Sequence, residues 1–274
     1  MTIEFVLAFL FFYTWHMMGI TIGYHRLLSH RSFKCPKAVE YFWVLAGYLA
    51  FEGSPIWWAT IHRAHHRYTD LPFDPHSPRA GWLNSTYGWV TRGHYPAYID
   101  PQVQAKDLIA DPIYLWLEQK GSWEKAHIVN GVVGVAFRLI LLACFGWPIA
   151  VASLAAGLIV QQVPLLLNLI CHLPKLGYTN YDTDDDSVNV WWVALLTCGE
   201  GWHNNHHAFP GSARNGFRLY EIDLSWQVIR MMKAVGLVSW LHEENWQSPY
   251  KRPTNLSITV VPAINLREKS KVGS

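Results

Sequence analysis

Long apolar stretches dominate the pattern of hydrophobic and polar positions along this chain. Residues 5–24 include no Asp, Glu, Lys or Arg, and these 20 positions are enough to cross a bilayer core of about 30 Å as a helix. Residues 126–172 contain one charged side chain, Arg138, and are long enough for two helices that separate at the Gly and Pro of residues 145–148. The pattern predicts three transmembrane helices, at about residues 3–24, 126–146 and 148–172.

Two shorter apolar stretches do not reach membrane-spanning length. Residues 38–51 include Glu40, and residues 188–198 are shorter still, so both are predicted to be interfacial or buried helices. The more polar sequence of residues 25–125 and 173–247 is predicted to form a helical cap, and residues 248–274 a loose tail. The whole chain, residues 1–274, is therefore predicted to be one all-α integral membrane domain.

Charge places the predicted cap on one side of the membrane. The few residues before the first span include no Lys or Arg, whereas six basic residues follow it: Arg26, Arg31, Lys34, Lys37, Arg63 and Arg67. By the positive-inside rule this side is the cytoplasm, and the hairpin of the second and third spans returns to it. We thus expect a multi-pass membrane protein with a cytosolic cap. Its net charge of +2 and the lack of a basic tract predict no nucleic acid partner.

Histidine is concentrated at three places in the chain. HRAHH and HNNHH each contain the pattern His-x-x-His-His, and HRLLSH directly follows the first span. Residues three and four apart share one face of an α-helix, so each triplet can direct its imidazole nitrogens to neighbouring points. The pair in HRLLSH is five residues apart, and we expect it at a helix end where the backbone loosens. The eight histidines are His25, His30, His62, His65, His66, His203, His206 and His207.

Eight imidazoles exceed the capacity of one tetrahedral metal ion and predict two ions. Imidazole binds iron, copper, nickel and zinc, but a site that activates O₂ requires a redox metal, iron before copper; a recombinant sample can carry zinc instead. His172 ends the third span, four residues after Asn168, and this pair is equally explained by a role at the metals or by helix capping. Glu200, Asp70 and Asp74 are candidates to accept the second ring N–H of the ligand histidines.

The histidine motifs resemble those of the membrane fatty acyl desaturases, and of the delta-9 group in particular. HRLLSH, HRAHH and HNNHH occur in the family's order and spacing, and DPH at residues 74–76 and GEGWHNNHHAFP at residues 199–210 extend the similarity. Asn168-x-x-x-His172 also matches the family pattern, and the similarity as a whole runs from about Gly19 to about Leu241. The resemblance implies a di-iron centre held by the eight histidines and His172, with Asn168 reaching one iron through water.

The activity implied by the resemblance is O₂-dependent introduction of a cis double bond, at the delta-9 position, into a saturated acyl chain. The chain would be carried as an acyl-lipid, acyl-CoA or acyl-carrier-protein, and O₂ would be reduced to water. The sequence has no haem domain, flavin motif or iron–sulfur cysteine set, so electrons must come from a separate protein such as ferredoxin or a cytochrome b-type protein. Arg26, Arg31, Arg63 and Arg67 are candidates for contact with this donor or with lipid headgroups.

Two features of this sequence depart from the family pattern. Family members usually have a further span before the helix that ends in the first histidine motif, whereas three spans are predicted here. Relatives that act on coenzyme A esters tend to carry an Arg-Asp pair before the second motif and a basic pair in the loop after it. The corresponding positions here are Thr60-Ile61 and, approximately, Arg92-Gly93. Fewer cations for the coenzyme phosphates indicate a lipid-bound or carrier-protein-bound chain.

The methylenes of an acyl chain are chemically alike, so geometry must select among them, and we expect a narrow, bent, apolar tunnel beside the metals. Trp57, Trp58 and Trp202 adjoin the histidine motifs and are candidate walls, with anchoring at the membrane interface as an equal alternative. The alternative enzyme is a fatty acyl or alkane hydroxylase on the same scaffold, which would insert oxygen. A metal transporter is disfavoured, because the spans offer few polar residues to pass an ion.

Overall fold

Three helices of the computed structural model, which describes residues 2–251, are long and apolar enough to cross a membrane. They comprise Ile3–Ser29, Trp123–Phe145 and Trp147–Ile170, which confirms the predicted three spans and mainly helical fold. The first extends five residues beyond the predicted end at residue 24. Of the predicted loose tail, all but residues 248–251 lies outside the described residues.

The second and third spans form the predicted helical hairpin. Helix α7 (Trp123–Phe145) ends at Gly146, whose φ of 84° lies in the left-handed region that favours glycine, and Pro148 stands in the first turn of α8 (Trp147–Ile170). The first span packs beside this hairpin: Phe12 of α1 (Ile3–Met18) joins a buried cluster with Ala152 and Ala156. Small residues on α8 thus allow the close helix packing typical of membrane proteins.

The first span changes from an α-helix to a π-helix, which covers Gly19–Ser29. Its first residue lies directly against α2 (Lys37–Tyr48), where a Cβ atom added to Gly19 would clash with the backbone of Ala46 and Gly47. Glycine is therefore required for this close approach. A π-helix pairs residues five apart, and His30 N accordingly donates to His25 O at 3.1 Å.

The cap is made of short helices and one small strand pair. The predicted short apolar helices are present as α2 and as α9 (Trp191–Leu196). The strand pair joins β1 (Phe33–Lys34) to β2 (Trp240–Leu241), antiparallel. The remaining α-helices are α3 (Pro55–Tyr68), α4 (Pro101–Gln104), α5 (Lys106–Ile109), α6 (Pro112–Leu117), α9 (Trp191–Leu196), α10 (His203–Ala208) and α11 (Leu224–Ala234). Short 3₁₀ turns cover Pro78–Ala80, Gln119–Gly121 and Pro174–Leu176, and a short π-helix covers Asn84–Gly88.

Candidate metal centre

Nine imidazoles converge where the first and third spans meet the cap. They come from four parts of the chain: the π-helix with its C-cap residue, α3, the segment directly after α8, and α10. Their ring nitrogens form two groups. The first cluster contains His25, His30, His62, His66 and His206, and the second cluster contains His65, His172, His203 and His207.

In the first cluster the Nε2 atoms approach one another closely. The Nε2 of His206 lies 3.1 Å from that of His25 and 2.9 Å from that of His66. The Nε2 of His62 lies 3.1 Å from that of His66 and 2.9 Å from that of His30. Five nitrogen atoms that could bind a metal ion are thereby brought close to one point.

The second cluster has the same character with four imidazoles. The Nε2 of His203 lies 3.1 Å from the Nε2 atoms of both His172 and His207. The Nε2 of His65 is buried and has no hydrogen-bond partner. A buried imidazole nitrogen without a partner is costly unless a further group binds it, so this atom favours a ligand role.

Helix geometry explains which histidines of one segment enter the same cluster. The π-helix brings His25 and His30, five residues apart, to one face with ring centroids 4.8 Å apart. On α3, His62 and His66 are one α-helical turn apart and join the first cluster. The middle residue of that triplet, His65, joins the second cluster. Each His-x-x-His-His motif is therefore divided between two sites, a division that the spacing alone does not predict.

The three carboxylates proposed from the sequence all contact histidines of these clusters. Glu200 Oε2 lies 2.7 Å from Nδ1 of His25. The carboxylates of Asp70 and Asp74 lie 2.9 Å and 3.0 Å from Nδ1 of His172 and His65, respectively. A carboxylate only accepts hydrogen bonds, so Nδ1 carries the proton and the lone pair of Nε2 is free for a metal ion.

Asp185 makes the same contact and was missed in the sequence. Its Oδ2 lies 3.0 Å from Nδ1 of His207, which leaves the His207 Nε2 free in the second cluster. The run at residues 182–186 looks like a solvated acidic loop in the sequence. Only folding brings this loop beside α10, where Asp186 also pairs with Arg79 at 2.7 Å.

The electrostatics of the clusters keep most of their imidazoles neutral. Burial lowers the pKa of five histidines well below the usual value, and the charges of neighbouring histidines lower it further: His30, His62, His66, His203 and His206. Burial also lowers the pKa of His207, although Asp185 opposes it. Neutral imidazole is the form that binds a metal ion.

The partner carboxylates are held ionised. Burial alone would raise the pKa of Asp70, but the hydrogen bond and charge of His172 lower it to about 2. The pKa of Glu200 is likewise lowered to about 2, because the charges of His25 and Arg26 outweigh burial. The pKa values of Asp74 and Asp185 are lowered in the same way by His65 and His207. Four negative charges, three of them buried, therefore surround the imidazoles.

This donor set fits metal ions. The Nε2 atoms converge on each other rather than on protein acceptors, Nδ1 is occupied in four of the rings, and the ionised carboxylates match the positive charge of divalent cations. Imidazole nitrogen is a ligand for iron, copper, nickel and zinc. Asn168, at the end of α8, lines the cavity beside the clusters.

A largely apolar cavity of about 130 Å³ adjoins both clusters. It is lined by His25 and His62 of the first cluster and by His203 of the second. Trp57 and Trp58, two of the candidate tunnel walls, also line it. Trp58 stacks on the His62 ring at 4.9 Å and donates through Nε1 to Glu52 Oε2 at 3.0 Å.

Trp202, the third candidate wall, does not line this cavity. This side chain is buried outside the cavity wall, and its Nε1 donates to the Ile222 carbonyl oxygen at 2.9 Å. Although Trp202 directly precedes His203, its side chain binds the Ile222 carbonyl, whereas that of His203 joins the second cluster. Proximity in sequence is therefore a poor guide here.

The predicted basic surface near the first two histidine motifs is also corrected. Arg26 is buried between two carboxylates. Its Nη2 atom lies 2.9 Å from Oε1 of Glu200 and 3.0 Å from Oδ1 of Asp223. Arg31 and Arg63 both pair with Asp107. Of the four arginines, Arg67 alone is exposed without an ion pair within the described residues. Three of the four arginines are thus held in ion pairs, and the four do not form the predicted free basic surface.

Comparison with known proteins now adds to this geometry. Residues 2–233 match the family model described as fatty acid desaturase. The chain belongs to the fatty acid desaturase family. The matched range contains all nine clustered histidines and all three membrane-spanning helices.

Several curated desaturases resemble the chain over most of its length. An sn-1 stearoyl-lipid 9-desaturase of Anabaena variabilis is 41% identical over 81% of this chain and 78% of the relative. A Delta-9 acyl-lipid desaturase 1 of Arabidopsis thaliana is 38% identical over 83% and 72%. An Acyl-CoA C20 Delta5-desaturase of Anemone leveillei is 38% identical over 81% and 69%. The relatives thus differ in carrier and in double-bond position.

Proposed function

We propose that this desaturase introduces a cis delta-9 double bond into a saturated acyl chain attached to a membrane lipid, with O₂ as oxidant and two iron ions as the metal centre. The observation that carries the proposal is the apolar cavity in direct contact with imidazoles of both clusters. An acyl chain in this cavity would lie beside the metal ions. The names of the cyanobacterial and plant relatives supply the delta-9 position and the lipid carrier.

The residues that would hold the metal ions are the nine histidines. The first cluster would provide five imidazole ligands, and the second four, with Asn168 contributing through water as the family resemblance implies. When bound, the metal pair supplies the O₂ activation that an unactivated C–H bond requires. Iron is the metal we propose, because O₂ chemistry requires a redox ion and the family is a di-iron one.

The chain's own side chains orient the ligands and exclude water. Glu200, Asp70, Asp74 and Asp185 fix the proton on Nδ1 and so direct Nε2 toward the metal. The apolar wall of the cavity would exclude water from the reacting methylenes and hold the acyl chain in one register. We propose Trp57 and Trp58 as parts of this acyl tunnel; Trp202 is left out.

The reaction balances only with an external electron source. Two hydrogens leave adjacent methylenes, and O₂ takes up these together with two electrons and two protons to give two waters. We propose that a separate ferredoxin or cytochrome b-type protein delivers the electrons. The two residues directly before the second histidine motif support a lipid carrier. Thr60 and Ile61 are buried and uncharged, so they offer no cation to a coenzyme phosphate.

We further propose that residues 1–274 form one desaturase domain and that its metal centre faces the cytoplasm. The basic residues that follow the first span support this orientation by the positive-inside rule. The two clusters draw on residues from His25 to His207, so the described cap and spans share one site. A fusion reporter attached at residue 274 would test the orientation, with cytoplasmic reporter activity as the expected result.

Expression in a bacterial host with a compatible electron donor would test the activity. The expected product in the host lipids is a delta-9 alkene, detected by mass spectrometry as the loss of two hydrogens. His203→Ala should abolish it, whereas His242→Ala, at a half-exposed histidine outside both clusters, should not. Gain of one oxygen in place of the alkene would identify a hydroxylase and refute the proposal.

A further inference from the structure

One side of α9 exposes large apolar side chains although the helix belongs to the cap. Trp191 is 65% exposed and Leu195 is 62% exposed, with Trp192 and Leu196 also open. Residues 188–198 contain no charged side chain. We call Trp191, Trp192, Leu195 and Leu196 the α9 face. An exposed apolar patch of this kind in water would be a liability, so it marks contact with a membrane or another protein.

A hydrogen bond from Tyr13 determines how deep α9 lies along the membrane-spanning helices. The Tyr13 hydroxyl donates to the Leu196 carbonyl oxygen at 2.9 Å. Tyr13 also packs against the cluster that contains Ala152 and Ala156, which follow the start of α8 at Trp147 by five and nine residues. Tyr13 itself stands ten residues after Ile3, the first residue of its span, which at about 1.5 Å per residue is roughly 15 Å into a bilayer core of about 30 Å. The C-terminal end of α9 is therefore bonded to a residue of the mid-membrane region.

The opposite side of α9 packs against the end of the third span. Val193 forms a buried cluster with Leu167 and Cys171, at the end of α8 nearest the two histidine clusters. The residue that follows α9, Thr197, lines the cavity together with Met17 and Ile20 of the first span. One side of α9 is thus exposed beside the spans, whereas the other side packs against the third span next to the cavity.

A loop that follows α10 also exposes apolar side chains. Leu219 is fully exposed, and Tyr220 and Ile222 are also open. This loop is tied to the same region, since Trp202 binds the Ile222 carbonyl and the hydroxyl of Ser225 lies 2.6 Å from that of Thr21 in the first span. Thr21 is eight residues beyond Tyr13, so the loop lies nearer the metal-side boundary of the bilayer than α9 does.

We propose that α9 is embedded in the hydrocarbon layer on the metal side of the membrane, with Leu219, Tyr220 and Ile222 at its boundary. The occupant of the α9 face is then the acyl chains of bilayer lipids. The lipid is preferred over a protein partner because the face is continuous with the spans, free of charge and bonded to mid-membrane Tyr13. This inference concerns lipid contact and is independent of the reaction catalysed.

Site-directed spin labelling in phosphatidylcholine nanodiscs would test the depth of α9. Cys35 and Cys144 are first replaced by Ser, while Cys171 and Cys198 are buried. Leu195→Cys is labelled with a nitroxide, and its collision rates with O₂ and with a water-soluble nickel chelate are measured. Ile140→Cys, lipid-facing on α7, and Lys106→Cys, exposed on α5, are the controls for lipid and for water.

The expected O₂-to-nickel collision ratio at Leu195 is close to that at Ile140 and above that at Lys106, with Leu219→Cys in between. Trp191→Cys provides a second position on the same face if Leu195→Cys does not fold. A ratio equal to that at Lys106 would show water contact and overturn the proposal. Spin–spin broadening with low collision rates for both reagents would show a second copy of the chain on this face, and would also overturn it.

Discussion

His30 stands one π-helical turn after His25, and the five-residue interval places both rings in the first cluster with centroids 4.8 Å apart. An α-helix would turn these residues to different faces. The unusual helix would thus allow a transmembrane segment to provide two ligands at one proposed metal position, in agreement with the frequent use of π-helical turns at functional sites.

Loss of one ligand should empty one metal position selectively. His30→Ala removes one of the five imidazoles of the first cluster, whereas the second cluster keeps all four. We expect the metal content to fall from two ions per chain toward one, measured by elemental analysis of purified protein. His94→Ala, outside both clusters, should retain two ions. Equal loss from His94→Ala would show that the bound metal is not held by the clusters.

Asp185→Asn should weaken metal binding without removing a ligand. The amide cannot supply the ionised acceptor that fixes the His207 tautomer, and such substitutions typically reduce metal affinity by about 10- to 100-fold. Competition with a chelator measures the change. Asp184→Asn, its exposed neighbour, serves as the control and should leave affinity unchanged. Equal affinities for the Asp185 and Asp184 variants would contradict the role assigned to Asp185.

Arg26→Met should destabilise the protein strongly. The substitution leaves Glu200 and Asp223 buried without their cation, and breaking such a buried ion pair costs about 3–5 kcal/mol. Arg31→Met breaks an exposed pair with Asp107 and should cost less than about 1 kcal/mol. Thermal unfolding in detergent compares the two variants. Similar unfolding temperatures would show that Arg26 does not hold the cap to the first span.

Trp58→Phe should alter where the double bond forms. The smaller ring enlarges the cavity and loses the hydrogen bond to Glu52, so the acyl chain is held less uniquely. We expect additional positional isomers, resolved by mass spectrometry of derivatised lipids. Trp202→Phe also loses one hydrogen bond, but outside the cavity, and should leave the position unchanged. The same product pattern from both variants would exclude Trp58 from the tunnel.

Glu52 should make stability fall as the pH rises. Burial raises the pKa of this carboxyl from 4.5 to about 8, so the folded protein holds its proton over a range in which the unfolded chain releases it. The free energy of unfolding therefore decreases between pH 4.5 and 8, by at most about 1.4 kcal/mol per pH unit from this group. Glu52→Gln should remove this slope, as measured by unfolding at pH 5 and pH 8. An unchanged slope would contradict the assignment.

Much of this architecture follows from patterns that are local in the sequence. Apolar runs with at most one charged side chain locate the three spans, and the Gly and Pro near residues 145–148 locate the hairpin turn. Motif spacing brings the histidines together as candidates, and nearness in the chain suggests the partner carboxylates Glu200, Asp70 and Asp74. These features depend on helix period and on neighbours a few residues away.

The features that the sequence does not reveal depend on tertiary contacts. Asp185 reaches His207 only because a loop folds beside α10, and Arg26 appears as a surface cation until the fold brings Glu200 and Asp223 to it. The division of each histidine triplet between two clusters follows from the placement of α3 and α10. Trp202 points away from the cavity for the same reason, since its partner, Ile222, lies twenty residues later.

Both clusters include residues of α10, the last element of the chain to contribute ligands. During synthesis, the first cluster lacks His206 and the second lacks His203 and His207 until the ribosome has passed all three spans. Neither metal position can therefore be completed while the membrane segments are being inserted. Uptake of the proposed metal ions would therefore follow insertion, and it would join the newly made cap to the first helix that entered the bilayer.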